Sequence, residues 1–244
     1  MKCPDKSKEE ARFRKSDGTC NNVRQPLFGA ARTPFIRVQE ADYADNVSTP
    51  REARNGGKLP NARDVSRFVH GTNADRKNPD SPRLTHLAMN WGQFLDHDLT
   101  LAEEQECDCE ALNTTEPECF NVKVPSDDDV FQKRDVRFFK VIRDAPHGFI
   151  EECSPGPREH TNTITAFIDA SNVYGSSEEE AEHLRAPDGR MKIMKPRHGC
   201  PLGDLLPAQT DPEMPCVSRD PNRPCFIAGD ERVNENQGEV TSLP

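Results

Sequence analysis

Long apolar runs are missing from these 244 residues, of which apolar types make up only 33%. Nothing approaches the roughly 18 consecutive apolar residues that a membrane-crossing helix needs, so the sequence offers no span. The opening stretch, MKCPDKSKEEARFRK, likewise contains no apolar core of a signal peptide. Basic charge is not in excess: 32 Lys+Arg against 42 Asp+Glu leave a net charge of -10. That balance argues against a nucleic-acid binder and against a polybasic membrane patch. The acid is dispersed, and its densest runs, Asp127 to Asp129 and Glu178 to Glu180, read as solvated surface. Internal repeats and low-complexity tracts are absent as well.

What the chain does have is proline, 21 residues, and cysteine, nine. With a mean hydropathy of -0.85, the apolar material must be concentrated in a few segments separated by irregular chain. The length suits one large domain or two small ones. Nine cysteines in so polar a chain point to disulfides and an oxidising compartment. The lack of a leader conflicts with this, and the expectation is a secretion signal upstream of Met1. Two glycosylation sequons, at Asn46 and Asn113, side with the secretory reading. The competing reading is a reduced cytosolic protein with incidental cysteines.

Residues 1–60 hold Gly, Pro, Asn and Arg at short intervals and read as an irregular arm, anchored by Leu27-Phe28 and Phe35-Ile36. Residues 61–100 carry the helical signals. Asn61 is placed to cap a short helix with Ala62, Val65, Phe68 and Val69 at helical spacing. Ser81-Pro82 then supplies a cap and a first-turn proline for a stronger helix. Its Leu84, Leu87, Ala88, Trp91, Phe94 and Leu95 form one stripe expected to face a core. Residues 101–160 read as disulfide-stapled loops with one apolar burst, Phe138 to Ile142, that suits a strand or a helix turn. Within 161–185 an extended or looped segment ends at Gly175, and Ser176 or Ser177 caps an acid-first helix through Leu184. Residues 186–244 are again turn-rich.

Two constellations could carry chemistry. Gln93 and His97 are four apart and share a helix face, with Asp96 and Asp98 flanking the histidine. Such a histidine can be a general base, a metal ligand, or a solvated group near a helix C-terminus. The second is Thr165-Ala166-Phe167-Ile168-Asp169-Ala170-Ser171, whose oxygen-bearing side chains alternate with apolar ones. In an extended loop Thr165, Asp169 and Ser171 would turn to one side with main-chain carbonyls, a donor set for Ca2+. A half-buried strand explains the same pattern. A zinc site from His198, Cys200, Cys216 and Cys225 has no paired C-x-x-C knuckles to support it.

Taken together, WGQFLDHDLT followed by TAFIDASNVYGSSEEEAEHLR closely resembles the animal haem peroxidase family. The likeness begins near GTCNNVRQPLFGAARTPFIRV and continues to PCFIAGDERVNENQGEVTSLP, nearly the whole chain. It implies a mainly α fold with long, disulfide-stapled irregular loops and little β. It implies a haem b cofactor, hydrogen peroxide as oxidant, and a halide or phenolic electron donor, in an extracellular, secretory or matrix setting.

Residue by residue, the resemblance makes His97 the distal base and Gln93 the amide that orients water or halide. Asp96 matches an aspartate ester-linked to a haem methyl. Asp98, Thr165, the Phe167 carbonyl, Asp169 and Ser171 match a calcium site. For the cysteines it implies Cys3 with Cys20, Cys107 with Cys119, Cys109 with Cys153 and Cys216 with Cys225, leaving Cys200 over. It also implies that the distal arginine, a second haem-linking glutamate and the proximal histidine follow the segment ending at Pro244. His70, His86, His147, His160, His183 and His198 match none of these motifs. The expectation is therefore part of a peroxidase domain, with apolar surface exposed on the Trp91 helix. The alternative is a non-catalytic extracellular binding protein held by calcium and disulfides.

Overall fold

A computed structural model describes residue 3 and residues 13–70, 85–147, 156–195, 203–211, 216, 218 and 224–235. In chain order the elements are β1 (Thr33–Pro34), α1 (Ala62–His70), α2 (His86–Leu99), β2 (Val122–Lys123), β3 (Phe138–Phe139), β4 (Thr161–Asn162), α3 (Ser171–Tyr174) and α4 (Glu178–Leu184). Short 3-10 turns occupy Gln132–Arg134 and Glu231–Asn234. Helix outweighs strand and irregular chain dominates, the mainly α fold with little β expected from the sequence. No helix among the described residues is long and apolar enough to cross a membrane.

The chain divides into two compact units: Met1–Thr33 with Pro82–Leu101 and Asn162–Pro244, and Pro34–Ser81 with Ala102–Thr161. The first unit is organised around α2, α3 and α4. Its apolar cluster pairs Val173 with Val233 and adds Phe94, Ala170, Leu206 and Ala228. The side of α2 that becomes buried is Asn90, His97 and Asp98, in helical register with the partly buried Phe94. The stripe expected from the sequence is therefore corrected: Leu87 is 68% exposed and Trp91 is 59% exposed. The polar side wins because Asp98 and the Asn172 amide make bonds that tie α2 to α3, whereas Trp91 stacks at 5.6 Å on Phe94 of its own helix. The exposed apolar surface anticipated on this helix is present. Its proposed start at Ser81-Pro82 lies outside the described residues, and the described helix begins at His86 after Thr85.

Two caps sit where local sequence chemistry puts them. The Ser177 hydroxyl accepts the Glu180 N–H at 3.1 Å to start α4, with three glutamates in its first turn. In the second unit the Asn61 side-chain oxygen accepts the Arg63 and Asp64 N–H groups at 2.8 and 3.2 Å, starting α1. One helix was not foreseen: Ser171–Tyr174 lies in a segment read as extended or looped. It forms because Ala170 adopts a left-handed φ of 59° and a remote carboxylate caps the turn that follows.

In the second unit α1 has no buried residue and is held by polar bonds. Arg63 binds the buried Asp128 carboxylate at 2.6 Å and lies over the Phe131 ring. β2 and β3 pair antiparallel, with Val122 opposite Phe139, so the Phe138 burst is a strand. Arg158, whose side chain is 3% exposed, grips both oxygens of Glu118 at 3.0 and 2.7 Å and also donates to the Asp144 carbonyl.

The disulfides Cys3–Cys20 and Cys216–Cys225 match the pairing implied by the resemblance. The pair Cys107–Cys119 does not: Cys119 is bonded to Cys109, and Cys107 is a half-buried free thiol. All three sulfurs lie within 4.8 Å of one another, so Cys119 has two partners within reach. With Cys109 engaged, its link to Cys153 is not formed in this structure, and Cys153 and Cys200 lie outside the described residues.

Candidate functional site

The C-terminal end of α2 gathers one expected constellation. His97 is buried, with Nε2 at 3.8 Å from the Glu235 carboxylate. Gln93, one turn earlier, is half-buried, and Asp96 is exposed, its carboxylate accepting the Thr100 hydroxyl at 3.3 Å. The helix end needs partners for its last carbonyls. Arg232 supplies them, donating to the Thr100 carbonyl at 2.9 Å and the His97 carbonyl at 3.4 Å. Asp230 aligns that guanidinium at 2.7 Å. Burial opposes the charge on Arg232, but the Asp230 carboxylate outweighs it and holds the pKa above its ordinary value.

The second constellation closes on the first through Asp98, which is fully buried. One oxygen accepts the N–H groups of Asp169 and Ala170, each at 3.1 Å. The other accepts the Ser171 N–H at 2.7 Å and the Ser171 hydroxyl at 3.3 Å. The Thr165 hydroxyl donates to the Asp169 carboxylate at 3.0 Å, and that carboxylate also accepts the Ser171 N–H at 3.1 Å. Arg14 completes the cluster, its guanidinium on the Asp169 carboxylate and, at 3.0 Å, on the Asp169 carbonyl. Four of the five residues assigned to calcium, Asp98, Thr165, Asp169 and Ser171, are thus brought into one hydrogen-bonded group. Phe167 is placed by its ring: a Cβ on Gly29 would come within 2.6 Å of it.

The donor chemistry suits Ca2+ in its two carboxylates and two hydroxyls, all hard oxygen, while the Arg14 guanidinium on Asp169 opposes a second cation there. It also fits the peroxide side of a haem. An imidazole is shielded from bulk water, an amide lies on the same helix face, and a carboxylate stays accessible.

Several contributors were not singled out from the sequence. Gly229 is required because a Cβ there would come within 2.2 Å of the Gly175 nitrogen and the Ser171 carbonyl. Asn172 donates to the Phe94 carbonyl at 3.2 Å. Arg14, Arg232 and Glu235 reach the site across large sequence separations, and nothing local in their own segments marks them. The expected glycosylation sites, Asn46 and Asn113, are both exposed, Asn46 in a left-handed turn at φ 61°.

The sequence pattern described as animal haem peroxidase matches residues 13–242. The human peroxidasin homolog is 37% identical over 95% of this chain, which spans 17% of that protein. Mouse myeloperoxidase is 34% identical over 99% of the chain, which spans 35% of it. Among solved structures, Peroxidase A from Dictyostelium discoideum superposes with a TM-score of 0.68 at 23% identity, over 94% of this chain and 43% of that one, a likeness of fold. By the extent of the family match and the identity to these relatives, the chain belongs to the animal haem peroxidase family.

Proposed function

We propose that this chain forms the peroxide-side wall of a haem peroxidase site, in a protein that uses hydrogen peroxide to oxidise a halide or phenolic substrate. The observation that carries the reading is the join at His97 and Asp98. The buried base and the buried carboxylate are consecutive residues, and the carboxylate is tied to the 165–171 loop by three backbone N–H groups. When bound, haem b supplies the redox-active iron at which peroxide is reduced.

His97 takes a proton from one peroxide oxygen onto Nε2 and returns it to the other as the O–O bond breaks. Gln93 orients water or halide, and Asp96 is the group for an ester to a haem methyl. Asp98, Thr165, the Phe167 carbonyl, Asp169 and Ser171 hold Ca2+, which fixes the loop against the helix that carries the base. The disulfides and exposed sequons support an extracellular or secretory setting.

The test is performed on the protein carrying this chain, loaded with haem. His97→Ala should keep the haem absorbance and lower peroxide-dependent oxidation of iodide or guaiacol by about 10²–10⁴-fold. Equal turnover in the variant overturns the assignment.

The second reading, a non-catalytic extracellular scaffold, is favoured by one observation: the Asp98–Asp169 cluster is hydrogen-bonded throughout with Arg14 in place. It predicts Ca2+-dependent stability that Asp169→Ala abolishes, with no haem absorbance.

A further inference from the structure

The second unit holds a cleft of about 530 Å3 that neither constellation uses. Among the described residues Arg37, Val38, Glu40, Pro157 and Glu159 line it, and so does Asn46, the acceptor of the first sequon. A volume in this range suits a small organic group. We propose that Asn46 carries an N-linked oligosaccharide whose first sugar, an N-acetylglucosamine, is seated in this cleft. This rests on the secretory setting of the chain and is independent of its haem chemistry.

The turn that carries Asn46 is fixed through its neighbours. Asp45 accepts the N–H groups of Val47, Ser48 and Thr49 at 2.9, 2.8 and 2.9 Å, and its other oxygen takes the Thr49 hydroxyl at 2.6 Å. The Arg158 N–H donates to the Val47 carbonyl at 2.7 Å and the Arg143 guanidinium to the Ser48 carbonyl at 2.8 Å, which clamps the turn to a buried residue. Asn46 itself takes a left-handed φ of 61°, which asparagine tolerates better than most residues. Its N–H is engaged by the Tyr43 carbonyl, whereas its side-chain amide is exposed and makes no hydrogen bond among the described residues.

The cleft beside that amide offers what a sugar needs. Its hydroxyls and acetamido group require donors and acceptors that are not already engaged. Arg37 binds Glu159 and the Arg158 carbonyl, both at 2.7 Å, through Nε and one terminal nitrogen, so the other terminal nitrogen keeps its donors. The Glu40 carboxylate forms no ion pair or hydrogen bond among the described residues. Val38, 100% exposed, and Pro157 supply an apolar surface for the C–H face of the ring. A single exposed valine is ordinary, but this one lies in the same cleft as an attachment point.

In the attachment step the Asn46 side-chain nitrogen attacks the anomeric carbon of an oligosaccharide carried on a lipid pyrophosphate. The N–C bond forms as the bond from that carbon to the phosphate oxygen breaks. The lipid pyrophosphate leaves, and the amide proton passes to a base of the transferase. Nothing is oxidised or reduced.

The protein carrying this chain is secreted from a eukaryotic host, its glycans are trimmed to a single sugar, and occupancy at Asn46 and Asn113 is read by peptide mass spectrometry. Asn46 should be occupied. Sugar at Asn113 with none at Asn46 overturns the proposal alone, and sugar at neither overturns the secretory setting with it. Seating is tested in an Asn113→Gln background by hydrogen exchange over residues 36–49, comparing protein trimmed to one sugar with protein made under a glycosylation inhibitor. The seated sugar should slow exchange in that segment by about threefold or more. Val38→Ser combined with Glu40→Ala, both at exposed positions, should leave exchange in the sugar-free protein unchanged and abolish the difference. Equal exchange with and without the sugar, or a difference that survives the double substitution, shows that the sugar points to solvent and overturns its seating.

Discussion

Asp98 accepts the backbone N–H of Ser171 at 2.7 Å across a sequence separation of 73 residues. The same carboxylate takes the N–H groups of Asp169 and Ala170, so one side chain starts a helix that its own segment does not encode. The residue before it is His97. Any displacement of the loop would therefore be felt at the end of α2 where the buried imidazole is attached. Arg232 secures that helix end from the other direction, through the carbonyls of His97 and Thr100.

Replacing Asp98 by alanine should be among the most damaging changes in the first unit. The Asp169 and Ala170 N–H groups lose this acceptor, while the Ser171 N–H keeps the Asp169 carboxylate, and each buried orphan costs roughly 1–3 kcal/mol. A loss of at least about 2 kcal/mol is expected, read as a lowered urea midpoint at unchanged slope. A change under about 1 kcal/mol would show that water replaces the carboxylate freely.

Two glycines of the same unit should respond in opposite directions. Gly229→Ala forces a methyl group into backbone atoms 2.2 Å away, which no side-chain rotation relieves. It should destabilise by roughly 1–3 kcal/mol or more. Gly92, within α2, has open space where its Cβ would be. Alanine there should stabilise by about 0.5–1 kcal/mol through helix propensity. Paired thermal melts decide both, and a neutral Gly229→Ala would contradict the close approach of the two backbones.

The two caps at Asn61 and Ser177 were readable because a side-chain oxygen meets an N–H two or three residues ahead, an interaction contained in the local sequence. Nothing local brings Asp98 together with Thr165, Asp169 and Ser171; that grouping was expected only from the family resemblance, which supplied what spacing alone left open. The buried side of α2 was not readable. Periodicity locates an apolar stripe but not the partner that covers it, and here Asn90, His97 and Asp98 turn inward while Leu87 and Trp91 face out. The short helix at Ser171 escaped for the reason given by its cap, a carboxylate far away in sequence. The cysteine pairing escaped because Cys107 and Cys109, two residues apart, both reach Cys119, and spacing cannot choose between them.

Acid should weaken the second unit in stages. Burial, only partly offset by the Asp144 carboxylate, holds His160 below its ordinary value of 6.5. The unfolded chain therefore binds the extra proton first, and stability falls as pH drops below 6.5 toward the folded-state pKa. Hydrogen bonds from Arg158 hold Glu118 below 4.5, and those from Arg63 hold Asp128 at about 2 against an ordinary 3.8. Their contributions are complete above those ordinary values and vanish as pH falls through the depressed ones. Denaturation midpoints from pH 8 to pH 2 should show both declines. His160→Gln should remove the upper decline alone, and its persistence in that variant would assign it to another group.

Calcium should compete with Arg14. The guanidinium holds the Asp169 carboxylate, and a divalent cation bound to the same carboxylate would face like charge nearby. A divalent and a unit charge 4 Å apart repel by roughly 8 kcal/mol at an effective dielectric constant of 20, and solvent screening of an arginine side chain that is 41% exposed leaves only a small part of that. Arg14→Gln should accordingly tighten Ca2+ binding by about tenfold, or ~1.4 kcal/mol, while lowering the melting temperature in chelator. Terbium luminescence and melts with and without Ca2+ measure the two effects separately. Weaker binding in Arg14→Gln would mean that the arginine orients Asp169 for the metal. Asp169→Asn provides the reference, since it removes the ligand charge and should abolish the Ca2+ response in either case.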